Sequence, residues 1–174
     1  MHIYKKTDSR PSAQAMSKRE RKIKFEYLFL DLNTCDRCVG TEDLLSEVIG
    51  KLTPALELAG YQVTYEKKEM SDAQTAIQHR FLSSPTIRVN GRDVNTEVRE
   101  NSCGCCSDIS GCDVDCRVFE LDGQAYEVPP ESVLADALLR TTFGPPRRTT
   151  GKAAYQLPEN LATFYAGKES RSKM

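Results

Sequence analysis

Histidine is scarce in this sequence, with two in 174 residues, His2 and His79. His2 falls in a terminal tail and His79 in a short helical stretch, and neither is assigned a function. No Ser-His-Asp set, carboxylate pair or phosphate-cradling glycine loop is discernible, which leaves hydrolytic and nucleotide chemistry without residues to carry them. Long apolar runs are also missing. No stretch approaches the ~18 residues that a membrane-spanning helix needs, so no membrane partner is expected. The N-terminus, MHIYKKTDSRPSAQAMSKRERKIK, lacks the apolar core of a secretory signal, and Asp8 and Glu20 without an amphipathic stripe speak against a transit peptide. The expected location is the cytoplasm. There is no internal repeat.

The net charge of −1 hides an uneven distribution. Residues 1–24 hold eight Lys/Arg and two Asp/Glu, and residues 144–174 hold six and two. Residues 25–143 hold 10 Lys/Arg against 21 Asp/Glu. An acidic body repels a phosphate backbone, and the basic tails are short and poor in aromatics near their charges, so nucleic acid is not an expected partner. The expected organisation is a basic tail over 1–23, one domain over 24–143, and a basic C-terminal tail over 144–174. That last tail carries a small amphipathic pattern of Leu157, Leu161, Phe164 and Tyr165, too short to be a stable helix alone.

Cysteine is what the chain has in excess. It holds seven. A reducing compartment does not maintain structural disulfides, so metal ligation or redox chemistry is the expected use. Cys35 and Cys38 form a Cys-x-x-Cys between an apolar run and a helical pattern. The other five, Cys103, Cys105, Cys106, Cys112 and Cys116, are packed into CGCCSDISGCDVDC with the spacing C-x-C-C-x5-C-x3-C. That spacing matches no standard zinc knuckle, although four thiolates in so short a loop can close a tetrahedral site. Zinc, an iron–sulfur cluster, a soft heavy metal and loop disulfides all remain open. Glu97, Glu100, Asp108, Asp113 and Asp115 make the segment acidic, which disfavours bare thiolates and suits a bound cation.

The pattern of elements surrounds these cysteines. FEYLFLDL (25–32) reads as a buried strand. Leu44, Leu45, Val48, Ile49, Leu52 and Leu56 recur at helical spacing, with Pro54 expected to kink the helix and Gly60 to close it. Thr41 is a plausible N-cap for that helix. YQVTYEKKEM (61–70) alternates as a half-buried strand. Ser71 with Gln74 forms a capping box opening a short helix. Thr86–Val89 leads into Asn90-Gly91, a two-residue hairpin turn, and Val118–Leu121 leads into Asp122-Gly123, a second one. Pro130 with Val133, Leu134, Ala137 and Leu138 begins a last amphipathic helix ending near Gly144. Because the Asn90-Gly91 turn returns the chain, the cysteine-rich segment should begin on the side of Cys35.

This order, with TCDRC after the first strand and Ser84-Pro85-Thr86 at the third, resembles the thioredoxin/glutaredoxin superfamily over roughly residues 24–142. More narrowly, DLNTCDRCVGT, SSPTIRVNGRD and VDCRVFELDGQAYEVPP are similar to the thioredoxin-like family called domain of unknown function 2703. The resemblance implies an α/β thioredoxin-like fold, a mixed sheet flanked by helices, with a Cys-rich insertion over 95–116 and an extra hairpin before the last helix. It implies thiol–disulfide oxidoreductase chemistry, with Cys35 as nucleophile, Cys38 as its resolving partner and Pro85 as a cis-proline facing them. Ser84, Thr86 and Arg37 would face the substrate, a protein or small-molecule disulfide, and no cofactor would be required. The alternative, from a different class, is a non-catalytic metal-binding module on the same fold, its ligands drawn from the five-Cys loop. The oligomeric state is left open.

Overall fold

The computed structural model describes residues 21–95, 97–145 and 154–173; residues 1–20 of the expected tail over 1–23 and the linker over 146–153 lie outside them, and residues 21–23 open the first strand. Four strands build the main sheet: β1 (Arg21–Phe29), β2 (Tyr61–Glu69), β3 (Thr86–Val89) and β4 (Arg92–Asp93), in the order β2-β1-β3-β4. β1 and β2 are parallel and β3 is antiparallel to β1, so the sheet is mixed. A parallel pair needs a crossover, and α1 (Asp36–Leu58) supplies it. β1 begins at Arg21, ahead of the apolar run, because its first residues alternate: Ile23 and Phe25 are buried while Lys24 faces Glu26 and Glu66 at 3.1 and 2.8 Å.

α1 starts immediately after Cys35 rather than at Thr41, which lies fully buried inside the helix. The reason is local. Asp31 closes a turn that delivers the chain in helical register five residues earlier, so no second cap is needed. Pro54 sits in the last stretch of α1 and the helix runs through it. At α2 (Ala73–Gln78) the cap is Asp72, not Ser71; its carboxylate accepts from the Thr75 amide at 2.8 Å. Asp and Ser are comparable caps, and the one three residues before an available amide wins.

The two Gly-containing turns form as expected. Asn90 and Gly91 adopt φ 51° and 74°, and Asp122 and Gly123 adopt 51° and 77°, the left-handed pair a tight hairpin requires. The second turn joins β6 (Asp115–Leu121) to β7 (Gln124–Tyr126), and β6 also pairs with β5 (Arg99–Ser102) in a second, three-stranded sheet. Between β5 and β6 lies α3 (Gly104–Ser110), closed by Gly111 at φ 72°. Helix α4 (Glu131–Phe143) packs on α1 and β3.

The C-terminal amphipathic pattern becomes α5 (Glu159–Ser172), longer than its apolar residues alone suggest. Leu161 and Phe164 are fully buried and Tyr165 is nearly so. At about 1.5–3 kcal/mol for each buried large apolar side chain, docking outweighs the nucleation cost that defeats an isolated helix. The Tyr165 hydroxyl also donates to the Met70 carbonyl at 2.8 Å.

Candidate metal centre

The geometry begins at Asp31. Its carboxylate accepts from the amides of Asn33, Thr34 and Cys35 at 2.9, 2.6 and 3.2 Å and from the Thr34 hydroxyl at 2.9 Å. Partial burial alone would raise this carboxyl; the Thr34 and Asn33 donors outweigh it and hold the group below its ordinary value. The resulting turn places Cys35 at the N-cap of α1, where free amides favour an anionic sulfur. One turn on, the Cys38 carbonyl accepts from the Tyr27 hydroxyl at 2.6 Å, tying the start of α1 to the sheet.

The cysteine-rich segment returns to this pole. Cys103 is the N-cap of α3, Cys106 lies in its first turn, and Cys116 stands on β6. The sulfur of Cys35 is 4.0 Å from that of Cys103 and 3.9 Å from that of Cys106, and Cys106 is 3.3 Å from Cys116. All four sulfurs lie within 4.8 Å of one another, all four residues are buried, and none is in a disulfide. Four thiolates at the usual zinc–sulfur distance of ~2.3 Å in a tetrahedron are separated by about 3.8 Å. The set therefore fits one tetrahedral ion with only small adjustments.

The thiols polarise one another strongly. Hydrogen bonds from Cys103, Cys106 and Cys116, and a smaller one from Cys38, push the Cys35 thiol far below its ordinary value against the effect of burial. Cys103 is lowered to about 7, chiefly by Cys106 and Cys116. Cys106 is pushed up, first by Cys103, and Cys116 is pushed up by Cys103, Cys106 and Cys35 together. Cys35 is thus the readiest thiolate and Cys103 ionises more easily than a free thiol, while Cys106 and Cys116 resist ionisation, and a bound cation would draw all four into the charged form.

Not every cysteine joins. Cys105 and Cys112 are half-buried and outside the four-sulfur group. The helical repeat explains Cys105: Cys103 and Cys106 are three apart and share a face, and Cys105 is turned ~100° from Cys106. Cys103-x-x-Cys106 is in fact a second Cys-x-x-Cys, disguised in the sequence by the extra cysteine inside it. Cys112 lies against α5. Cys38 is also apart: its sulfur is 3.4 Å from the Ser84 hydroxyl, and the neighbouring Cys35 thiolate, then burial, push its thiol up.

The residues expected to face a substrate are instead covered by the chain's own β6. The Ser84–Pro85 peptide is cis. The Ser84 carbonyl accepts from the Arg117 amide at 2.6 Å, and the Ser84 hydroxyl accepts from the Leu30 amide at 3.1 Å. The Thr86 hydroxyl donates to the Ser83 carbonyl at 2.7 Å and accepts from the Arg117 guanidinium at 3.0 Å. Arg37, also expected to face the substrate, is buried and engaged by the chain itself; its guanidinium donates to the Cys116 carbonyl at 2.9 Å and pairs with Glu127 at 2.8 Å. Sequence reasoning missed Arg117, which is fully buried, pairs with Asp93 at 2.8 Å and pins β6 to the main sheet. A basic residue next to a candidate ligand on a strand gives no sign of burial. A cleft of about 250 Å3 beside Val94, Glu120, Asp136 and Arg140 contains none of the cysteines.

Residues 22–138 match the family model described as domain of unknown function DUF2703. The chain belongs to this family. The match takes in all seven cysteines and stops short of α5. An uncharacterised protein of Archaeoglobus fulgidus is 30% identical over 108 residues, covering 61% of this chain and 76% of that protein. No solved structure matches the chain. Among the described residues no helix is long and apolar enough to cross a membrane.

Proposed function

We propose that this DUF2703 chain is a metal-binding module holding one thiophilic divalent ion, zinc in the simplest case, through Cys35, Cys103, Cys106 and Cys116. The observation that carries this is the convergence of four buried, unbridged sulfurs from three separate segments within 4.8 Å. Burying four thiols together has no packing advantage over apolar residues, whereas tetrahedral S4 donor sets select zinc or iron. A four-iron cluster would place each sulfur on a different iron and spread them apart. The close set favours a single ion. Bound there, the ion would supply cross-linking energy between the start of α1 and the Cys-rich insertion.

The scaffold reads as thioredoxin-like: β1, Cys-x-x-Cys at the start of α1, parallel β2, and Pro85 opening an antiparallel β3. That supports a second reading, thiol–disulfide exchange with a protein or small-molecule disulfide in the cytoplasm. Cys35 would be nucleophile, Cys38 its resolving partner, and Pro85 with Ser84 and Thr86 the substrate platform. The N-cap position and lowered pKa of Cys35 favour it. Against it as the first use, Cys35 and Cys38 are both 0% exposed and β6 occupies the platform.

Elemental analysis of protein purified without chelator, paired with a thiol titration, separates the two. The metal reading expects about one metal per chain, with the half-buried Cys105 and Cys112 the first thiols to react and the buried Cys38 slow. Metal-free protein that takes up no zinc when reduced rejects it.

A further inference from the structure

Cys38 is a buried nucleophile that the four-sulfur set leaves unused. It is one helical turn from Cys35, the member of that set at the N-cap of α1. We propose that Cys35 bonds either to the metal or to Cys38, so that the thiol–disulfide state of the Cys35–Cys38 pair sets metal occupancy. This rests on the metal reading above and assigns that site its regulation.

Residues three apart in helical geometry have Cα atoms about 5 Å apart, inside the ~4.4–6.8 Å that a disulfide spans. Cys38 needs no large movement to reach Cys35, because its thiol already hydrogen-bonds to the Cys35 sulfur, with the Ser84 hydroxyl a 3.4 Å contact beside it. Cys35 in turn is the one member of the set contributed by α1; the other three come from the insertion. Withdrawing it leaves three sulfurs on the insertion and breaks the cross-link to α1.

The chemistry balances with a low-molecular-weight disulfide as oxidant. The Cys35 thiolate attacks one sulfur of that disulfide, forming a mixed disulfide and expelling one small thiolate. Cys38 gives its proton to that leaving thiolate and attacks the Cys35 sulfur. The Cys35–Cys38 bond forms and the second small thiolate leaves, taking a proton from solvent. Two electrons pass from the protein pair to the small disulfide, and the ion loses one of its four ligands. Because both thiols are buried, exchange runs through the rare molecules in which the insertion has lifted; equilibrium occupancy does not depend on how rare they are. Linkage makes the effect reciprocal, so bound metal protects the pair from oxidation.

The test uses the full chain loaded with zinc and equilibrated anaerobically in glutathione buffers from fully reduced to fully oxidised. Bound zinc is measured after desalting and disulfides are mapped by peptide mass spectrometry. Wild type should lose at least tenfold in occupancy as the Cys35–Cys38 peptide pair appears. Cys38→Ser and Cys38→Val should each bind one zinc when reduced and keep it where wild type has lost it. Variants that lose zinc in step with wild type, or a map showing Cys106–Cys116 or another loop pair as the bond that forms, overturn the gate and leave the metal reading standing. A reduced wild type that takes up no zinc overturns the metal reading itself, and the gate with it.

Discussion

The amide of Arg117 donates to the carbonyl oxygen of Ser84 at 2.6 Å. Through this bond the residue after Cys116 is fastened beside the residue that contacts Cys38, so the Cys-rich insertion is registered on the main sheet before any sulfur is considered. The guanidinium of the same residue reaches Thr86 and Asp93.

That docking predicts an asymmetry between two substitutions. Arg117 is fully buried and two of its nitrogens have no partner, so removing Asp93 strands a buried charge. Asp93→Ala should destabilise the domain by about 3–5 kcal/mol. Arg117→Met removes the charge and keeps much of the volume, and should cost markedly less. Urea denaturation of both variants checks the order; equal losses would mean the pair does not hold β6.

Metal uptake should release protons. Before binding, Cys35 is the ready thiolate and Cys103 is near half-ionised at neutral pH, while Cys106 and Cys116 hold their protons. Zinc added in weak buffer at pH 7 should therefore liberate about two to three protons per ion. The sign follows: protons compete with the cation, so affinity falls with pH, by about 10²- to 10³-fold from pH 7 to 6. Isothermal titration in two buffers of different ionisation enthalpy gives the proton count.

Helix α5 should slow metal release. The Asn160 side chain accepts from the Asp115 amide at 3.0 Å and donates to the Asp115 carbonyl at 2.7 Å and to Glu100 at 3.1 Å. Asp115 adjoins Cys116 and pairs with Ser102, the neighbour of Cys103. Farther along α5, a Cβ at Gly167 would collide with the Ser110 carbonyl oxygen and lie 3.0 Å from the Cys112 sulfur. Asn160→Ala loses about 1–2 kcal/mol of hydrogen bonding, which corresponds to roughly a tenfold faster transfer of zinc to a competing chelator. Gly167→Leu should act in the same direction by lifting α5 from α3. Unchanged transfer rates in both variants would show that α5 is not a clamp.

Much of this architecture was legible in the sequence, and the residues say why. Asn90-Gly91 and Asp122-Gly123 announce hairpins because few other pairs accept two left-handed residues in succession. The apolar spacing from Leu44 to Leu56 announces α1. By contrast, α3 is built from Gly, Ser, Cys and Asp with a single aliphatic, Ile109, so it has no periodic stripe; its shape comes from packing under α5. β5 is Arg-Glu-Asn-Ser, a strand whose character comes from its partner β6. The approach of the insertion to Cys35 was legible from the return of the chain, but the choice of Cys103, Cys106 and Cys116 over Cys105 and Cys112 depends on the phase of α3. The covering of Ser84, Pro85 and Thr86 by β6 depends on Arg117, whose burial nothing local predicts.

X-ray absorption spectroscopy at the metal edge of zinc-loaded protein tests the central claim most directly. A single ion held by Cys35, Cys103, Cys106 and Cys116 predicts four sulfur scatterers at about 2.3 Å and no metal–metal vector. It also predicts loss of one sulfur from the shell in Cys35→Ser, with the shell unchanged in Cys105→Ser and Cys112→Ser. A shell dominated by oxygen or nitrogen, a metal–metal vector, or a shell that changes in Cys105→Ser or Cys112→Ser but not in Cys35→Ser would contradict it.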